Sequence, residues 1–138
     1  MIRYLLDTNA ISEPVRPQPD PRFFALLAAH RGACAIASVT WHEALYGLAR
    51  LPAGRRRDEL HEYLHGVVRA SLPILPYDAA AAEWHGLERA RLVAAGLTPS
   101  FPDGQIAAIA RTQGLGVIAA NVSDFRPFQG VEVVSWRE

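Results

Sequence analysis

Residues 1–14 read "MIRYLLDTNAISEP", and the reading of this stretch decides the fold. Ile2 to Leu6 form a short, mostly apolar run that stops at Asp7, with Thr8 and Asn9 directly behind it. Periodicity alone does not separate such a run from buried helix, so its flanks arbitrate. Four more runs of the same kind follow: "ACAIA" (33–37), "LPIL" (72–75), "LGVIAA" (115–120) and "VEVVSW" (131–136). Between them lie helical patterns. From Arg56 to Ala70 the apolar positions are Leu60, Tyr63, Leu64, Val67 and Val68. From Asp78 to Ala95 the stripe is Ala80, Trp84, Leu87, Ala90 and Ala94, stopped by Gly96. From Phe101 to Gln113 it is Ile106, Ala107, Ile109 and Ala110, stopped by Gly114. Strands alternating with helices predict an α/β domain around a mostly parallel sheet of five strands.

At 138 residues the chain has the size of one domain with a real core. Half the residues are hydrophobic and a fifth are charged, an ordinary soluble composition. No apolar run approaches the roughly 18 residues of a membrane span, and the start of the chain lacks the pattern of a secretory leader. The lone Cys34 excludes an internal disulfide and fits a reducing cytoplasm; it is read as a buried structural thiol. Fourteen basic residues, all Arg, balance fourteen acidic ones. No global field draws in a polyanion, so any nucleic-acid contact is local.

Four acids fall at element junctions. Asp7 ends the first run. Glu43 lies in "SVTWHEALYG", Asp103 in "TPSFPDGQIAAIA", and Asp124 in "ANVSDF", just past the fourth run. In an open parallel sheet the carboxyl ends of the strands share one edge, where ligands bind. Each acid alone also has a structural reading. Thr40 to Glu43 and Ser100 to Asp103 have capping-box spacing, and Asp7 and Asp124 suit caps or turns. Together, carboxylates crowded at one edge repel and raise each other's pKa unless a cation intervenes. Hard divalent ions take carboxylate oxygens and waters and leave room for phosphate. Such a site lowers the pKa of a bound water and attacks a phosphodiester without a covalent nucleophile.

The ordered set "LLDTNAISEPVRPQP", "SVTWHEALYGL", "PDGQIAAIA" and "ANVSDF...VEVVSW" resembles the PIN domain, and within it the VapC and FitB-like ribonuclease toxins of toxin–antitoxin pairs. The likeness spans residues 1–138 as a single PIN domain. It implies a three-layer α/β/α fold and an endoribonuclease dependent on Mg²⁺ or Mn²⁺. It also implies a cytoplasmic homodimer bound by a cognate VapB/FitA-like antitoxin. Asp7, Glu43 and Asp103 match the family's acidic positions and take its metal-binding role, Asp7 and Asp103 as direct ligands and Glu43 through water. Thr8 orients a carboxylate or water, and Asn9 starts the next helix or braces the site. At the fourth position some members carry Asp where this chain has Asn121, with Asp124 three residues on. Ala119 and Ala120 replace a common Thr-Arg pair, which leaves an alternative: an inactive PIN domain that binds RNA or antitoxin without turnover.

Other signals are weaker. No H-E-x-x-H metal motif and no P-loop occur, and Asn9 stands where a haloacid-dehalogenase-type phosphatase needs a second Asp. His61 and His65 suit an exposed face or a dimer contact; Arg16 and Arg55 to Arg57 are candidates for RNA phosphates or a solvated turn. Leu26, Leu45, Leu48, Leu60 and Leu64 are candidate antitoxin contacts. Without net positive charge, recognition relies on local Arg, metal and RNA shape, which fits a selective cutter of structured RNA.

Overall fold

The computed structural model describes residues 1–137. All five expected runs form strands, shortened to their most apolar centres: β1 Tyr4–Leu6, β2 Cys34–Ala37, β3 Ile74–Leu75, β4 Gly116–Ile118 and β5 Val133–Val134. Every pairing is parallel and the order is β3-β2-β1-β4-β5. The chain thus builds outward from β1 to β3, then returns to lay β4 on the other side of β1. The crevice at the carboxyl ends of β1 and β4 is the switch point where ligands bind in such sheets.

Side chains alternate along each strand, so the two sheet faces bury different sets. Leu5, Ala35, Ala37, Val117 and Ala119 pack beneath α6 (Ala79–Ala94) and α7 (Phe101–Gln113). Tyr4, Leu6, Ile36, Ile118 and Ala120 pack on the other face against Ile11, Phe23, Leu48, Leu64 and Trp136. That second layer comprises α1 (Thr8–Ser12), α2 (Pro21–Ala29), α3 (Ser38–Arg50), α4 (Arg55–Glu62) and α5 (Arg69–Ser71). Three layers with helices on both faces is the expected α/β/α arrangement.

Three local readings are corrected. The stretch from Arg56 to Ala70 is not one regular α-helix: a π-helical segment, Tyr63–Val68, separates α4 from α5. The wider turn puts Leu64 and Val68 inside and leaves Val67, expected in the stripe, 54% exposed. On α6 the buried face is Ala81, His85, Glu88 and Leu92, whereas Leu87 is 73% exposed. Two polar residues occupy the core side, so a stripe drawn through apolar residues lands on the solvent side. Thr40 and Glu43 form no capping box, because α3 starts two residues earlier, at Ser38, and Thr40 is already inside it. The α7 expectation agrees with the structure: Ile106, Ala107, Ile109 and Ala110 are all buried, and Gly114 ends the helix at φ 70°, a conformation glycine adopts without strain.

Candidate active site

Asp7 belongs to the sheet and to the helix that follows. Its amide continues the ladder by donating to the Ile118 carbonyl of β4 at 3.0 Å. Its carboxylate Oδ1 accepts from the Ala10 amide at 2.9 Å, capping α1. The side chain is 4% exposed. Burial is the main cause that pushes its pKa up, to about 7; the Ala10 amide opposes this, and the charges of Asp103 and Asp124 add to it. Asp7 is thus a cap whose carboxylate is left short of positive charge.

Asp103 stands in the first turn of α7. Its amide donates to the Ser100 hydroxyl at 3.2 Å, so here the expected cap does form. Its pKa is raised, first by burial, against the Ser100 hydrogen bond and with the help of the Asp124 charge. Asp124 ends a 3₁₀ turn, Val122–Asp124, in the loop after β4, and its amide donates to the Asn121 carbonyl at 3.2 Å. Asp103 and Asp124 face a cleft of about 380 Å³ together with Ser100, Ser123 and Pro127. Three acids from three distant segments thus bear on one another at the β1/β4 edge.

Glu43 does not join that cleft. It is exposed on α3 and lines a separate pocket of about 210 Å³ with Thr8, Thr40, Ile11 and Tyr63. Thr8 and Asn9 are exposed in the first turn of α1, and Asn121 is exposed with no side-chain bond to the turn it precedes. Ala119 and Ala120 are both buried. Arg16 is paired with Glu13 at 3.1 Å, and Arg55 with Glu59 at 2.8 Å. His61 and His65 are exposed neighbours with ring centroids 4.4 Å apart. Of the leucines expected at a partner surface, Leu48 and Leu64 are core, and Leu26, Leu45 and Leu60 are half-buried.

Among the described residues no group of three or more His, Cys, Asp or Glu side chains is already closed around a point that a metal would occupy. The donor set nonetheless fits a hard divalent cation. Asp7 and Asp103 supply carboxylate oxygens, each is made less acidic by burial first and by neighbouring acid charge second, and among the described residues no ion pair reaches either of them. Mg²⁺ needs only one or two carboxylates and completes its shell with water.

Sequence reasoning did not single out the buried polar residues Glu13, His85 and Glu88, and read Thr40 only as a cap. Glu13, 1% exposed, accepts from Arg16, from the Asp20 amide at 3.2 Å and from Trp136 Nε1 at 3.2 Å, tying the turn after α1 to the segment that follows β5. Thr40 Oγ1 is buried with no partner among the described residues. His85 and Glu88 underlie α7 and the Asp124 loop. Their spacing with Ala81 and Leu92 (i, i+4, i+7, i+11) is a helical stripe, the one signal that would have found them.

Residues 4–128 match the PIN domain family, and the chain belongs to it. Among named relatives, toxin FitB of Neisseria gonorrhoeae is 35% identical, the alignment covering 90% of this chain and 97% of FitB. The tRNA(fMet)-specific endonuclease VapC of Shigella flexneri is 31% identical over 99% of both chains. The crystal structure of FitAcB from Neisseria gonorrhoeae superposes with a TM-score of 0.88 at 31% identity, covering 98% of this chain and 99% of that one.

Proposed function

We propose that this chain is a toxin endoribonuclease of a toxin–antitoxin pair and that it requires Mg²⁺ or Mn²⁺. The observation that carries the reading is the buried, uncompensated Asp7 at the switch point, with Asp103 and Asp124 raising its pKa further. Relatives named as ribonucleases and as toxins support the nuclease class, and solved complexes of VapBC and FitAB type support an antitoxin partner. The family resemblance supports a homodimer. No described helix is long and apolar enough to cross a membrane.

Asp7 and Asp103 would hold the ion, and a bound divalent ion supplies an acidified water and charge stabilisation at the phosphate. The chain's own contributions follow from its geometry. The Ala10 amide fixes the orientation of the Asp7 carboxylate. Ser100 fixes the turn that presents Asp103. Asp124 adds a third acidic group to the cleft. Glu43 and Thr8 line a separate pocket, so Glu43 would act on the ion only through water. The neutral overall charge favours a structured RNA recognised by shape, and a relative named for tRNA(fMet) supports that class.

The test is incubation of partner-free protein with total RNA and Mg²⁺ or Mn²⁺, mapping the cut sites, with EDTA and Asp7→Asn as controls. Discrete cleavage abolished by both supports the reading. Ion binding without any cleavage would instead favour the inactive module, with Asn121 and the Ala119-Ala120 pair as the first positions to change.

A further inference from the structure

The buried face of α6 carries two polar residues where apolar ones would pack more simply. Glu88 is 7% exposed and receives three donors: Arg91 Nε at 2.6 Å and Nη2 at 2.8 Å, and the Gln129 amide at 2.7 Å; Arg91 Nη2 also donates to the Pro127 carbonyl at 3.2 Å on the same loop. That loop begins at Asp124, and Phe125 and Phe128 anchor it in the core. One turn earlier, His85 is 4% exposed and its Nδ1 is bonded to the Tyr77 hydroxyl at 2.9 Å. Its ring stacks near Phe101 at 5.0 Å and lies so close to Gly104 that any Cβ there would overlap it. Gly104 directly follows Asp103. One helix face therefore grips both the turn that carries Asp103 and the loop that carries Asp124.

We infer that Glu88, with Arg91, and His85 are positioning residues for the acidic cleft: they set how closely Asp103 and Asp124 approach each other. The inference rests on the proposed metal-dependent reading. Buried polar pairs add little net stability over apolar packing but fix one geometry. Partners that orient metal ligands typically change affinity 10–100-fold when removed.

The experiment measures Mn²⁺ binding to the metal-free full chain by the loss of the free-ion electron paramagnetic resonance signal. Variants are Glu88→Gln, which keeps an acceptor for the Gln129 amide, and His85→Gln. Glu13→Gln serves as a control for loss of a buried carboxylate whose partners, Arg16, Asp20 and Trp136, do not line the cleft. Circular dichroism and thermal unfolding establish that each variant is folded. The expected result is at least about tenfold weaker Mn²⁺ binding in both α6 variants, with cleavage recovering at high Mn²⁺, and unchanged binding in Glu13→Gln. Wild-type affinity in a folded α6 variant removes that residue from the role, and an equal loss in Glu13→Gln reduces the effect to general destabilisation. If the wild type binds no Mn²⁺, the metal reading fails first and takes this inference with it.

Discussion

Glu13 and Glu88 on one side, and Asp7 on the other, are carboxylates buried to nearly the same degree, yet the fold treats them oppositely. Burial pushes the Glu13 pKa up, but the Asp20 amide, Arg16 and the Trp136 indole outweigh it, and the net shift is downward. For Glu88 the Arg91 hydrogen bonds exceed the effect of burial, with the Gln129 amide adding to them, and the pKa again falls. Asp7 accepts from the Ala10 amide, meets no cation among the described residues, and has two more acids nearby. Burial of a carboxylate therefore carries no functional message by itself; what distinguishes Asp7 is a missing counter-charge. Compensated carboxylates join elements, and on the proposed reading the uncompensated one at the switch point takes an ion.

The sharpest attack on this contrast is Asp7→Asn. It keeps the shape and the acceptor for the Ala10 amide but removes the charge. Cleavage of RNA should fall on the order of a thousandfold, equivalent to about 4 kcal/mol of transition-state stabilisation. Single-turnover rates at saturating Mg²⁺ measure this. A loss below tenfold would mean that Asp7 is only a cap.

The same substitution should stabilise the metal-free protein. A pKa raised from 3.8 to about 7 means the folded state holds the proton more tightly than the unfolded chain. The associated stability is therefore present at low pH and is lost as pH rises from about 4 through about 7. Fully expressed, the shift corresponds to about 4 kcal/mol, a ceiling for this group. His85, whose pKa burial and Arg89 lower, acts in the opposite direction as it becomes neutral, so the quantity to follow is a difference. Wild type minus Asp7→Asn, by urea unfolding in EDTA, should grow more negative up to pH 7 and then level off. Adding Mg²⁺ should shrink that gap; an unchanged gap would break the link between the charge and the ion.

Gly104→Ala probes the compensated side. The new Cβ would overlap His85 Nε2, and that ring is held by Tyr77, so α7 must shift at the turn bearing Asp103. Overpacking of this kind costs about 1–3 kcal/mol. His85→Ala in the same chain should relieve most of it, which thermal unfolding of the two single variants and the double variant would reveal as strong coupling. Additive losses would mean that the ring is free to move aside.

The sheet and α7 were legible because their buried residues are apolar and regularly spaced: Ile106, Ala107, Ile109 and Ala110 are both the pattern and the core. The acids were legible from their positions at strand ends and helix starts. α6 misled because His85 and Glu88 are buried with partners outside the helix, Tyr77 and Gln129, while Leu87 faces solvent. The π-helical turn at Tyr63–Val68 misled because a 3.6-residue period cannot register an added residue. Glu43 was legible as an acid near a helix start but not as the wall of a separate pocket, since that depends on how α1, α3 and α4 meet.

Thr40 extends the contrast to an uncharged group and has the smallest expected effect. Its Oγ1 is enclosed at 1% residue exposure with no partner among the described residues, and it stands in the pocket shared by Thr8 and Glu43. A buried hydroxyl without a hydrogen bond lowers stability, and replacing it by a methyl of the same shape is neutral or favourable. Thr40→Val should thus leave unfolding unchanged or raise stability by up to about 1 kcal/mol. If the hydroxyl finds its partner in substrate or in water held by Glu43, the same variant will cleave RNA more slowly while being no less stable. A destabilised Thr40→Val would instead reveal a structural hydrogen bond and place Thr40 with Glu13 and Glu88 rather than with Asp7.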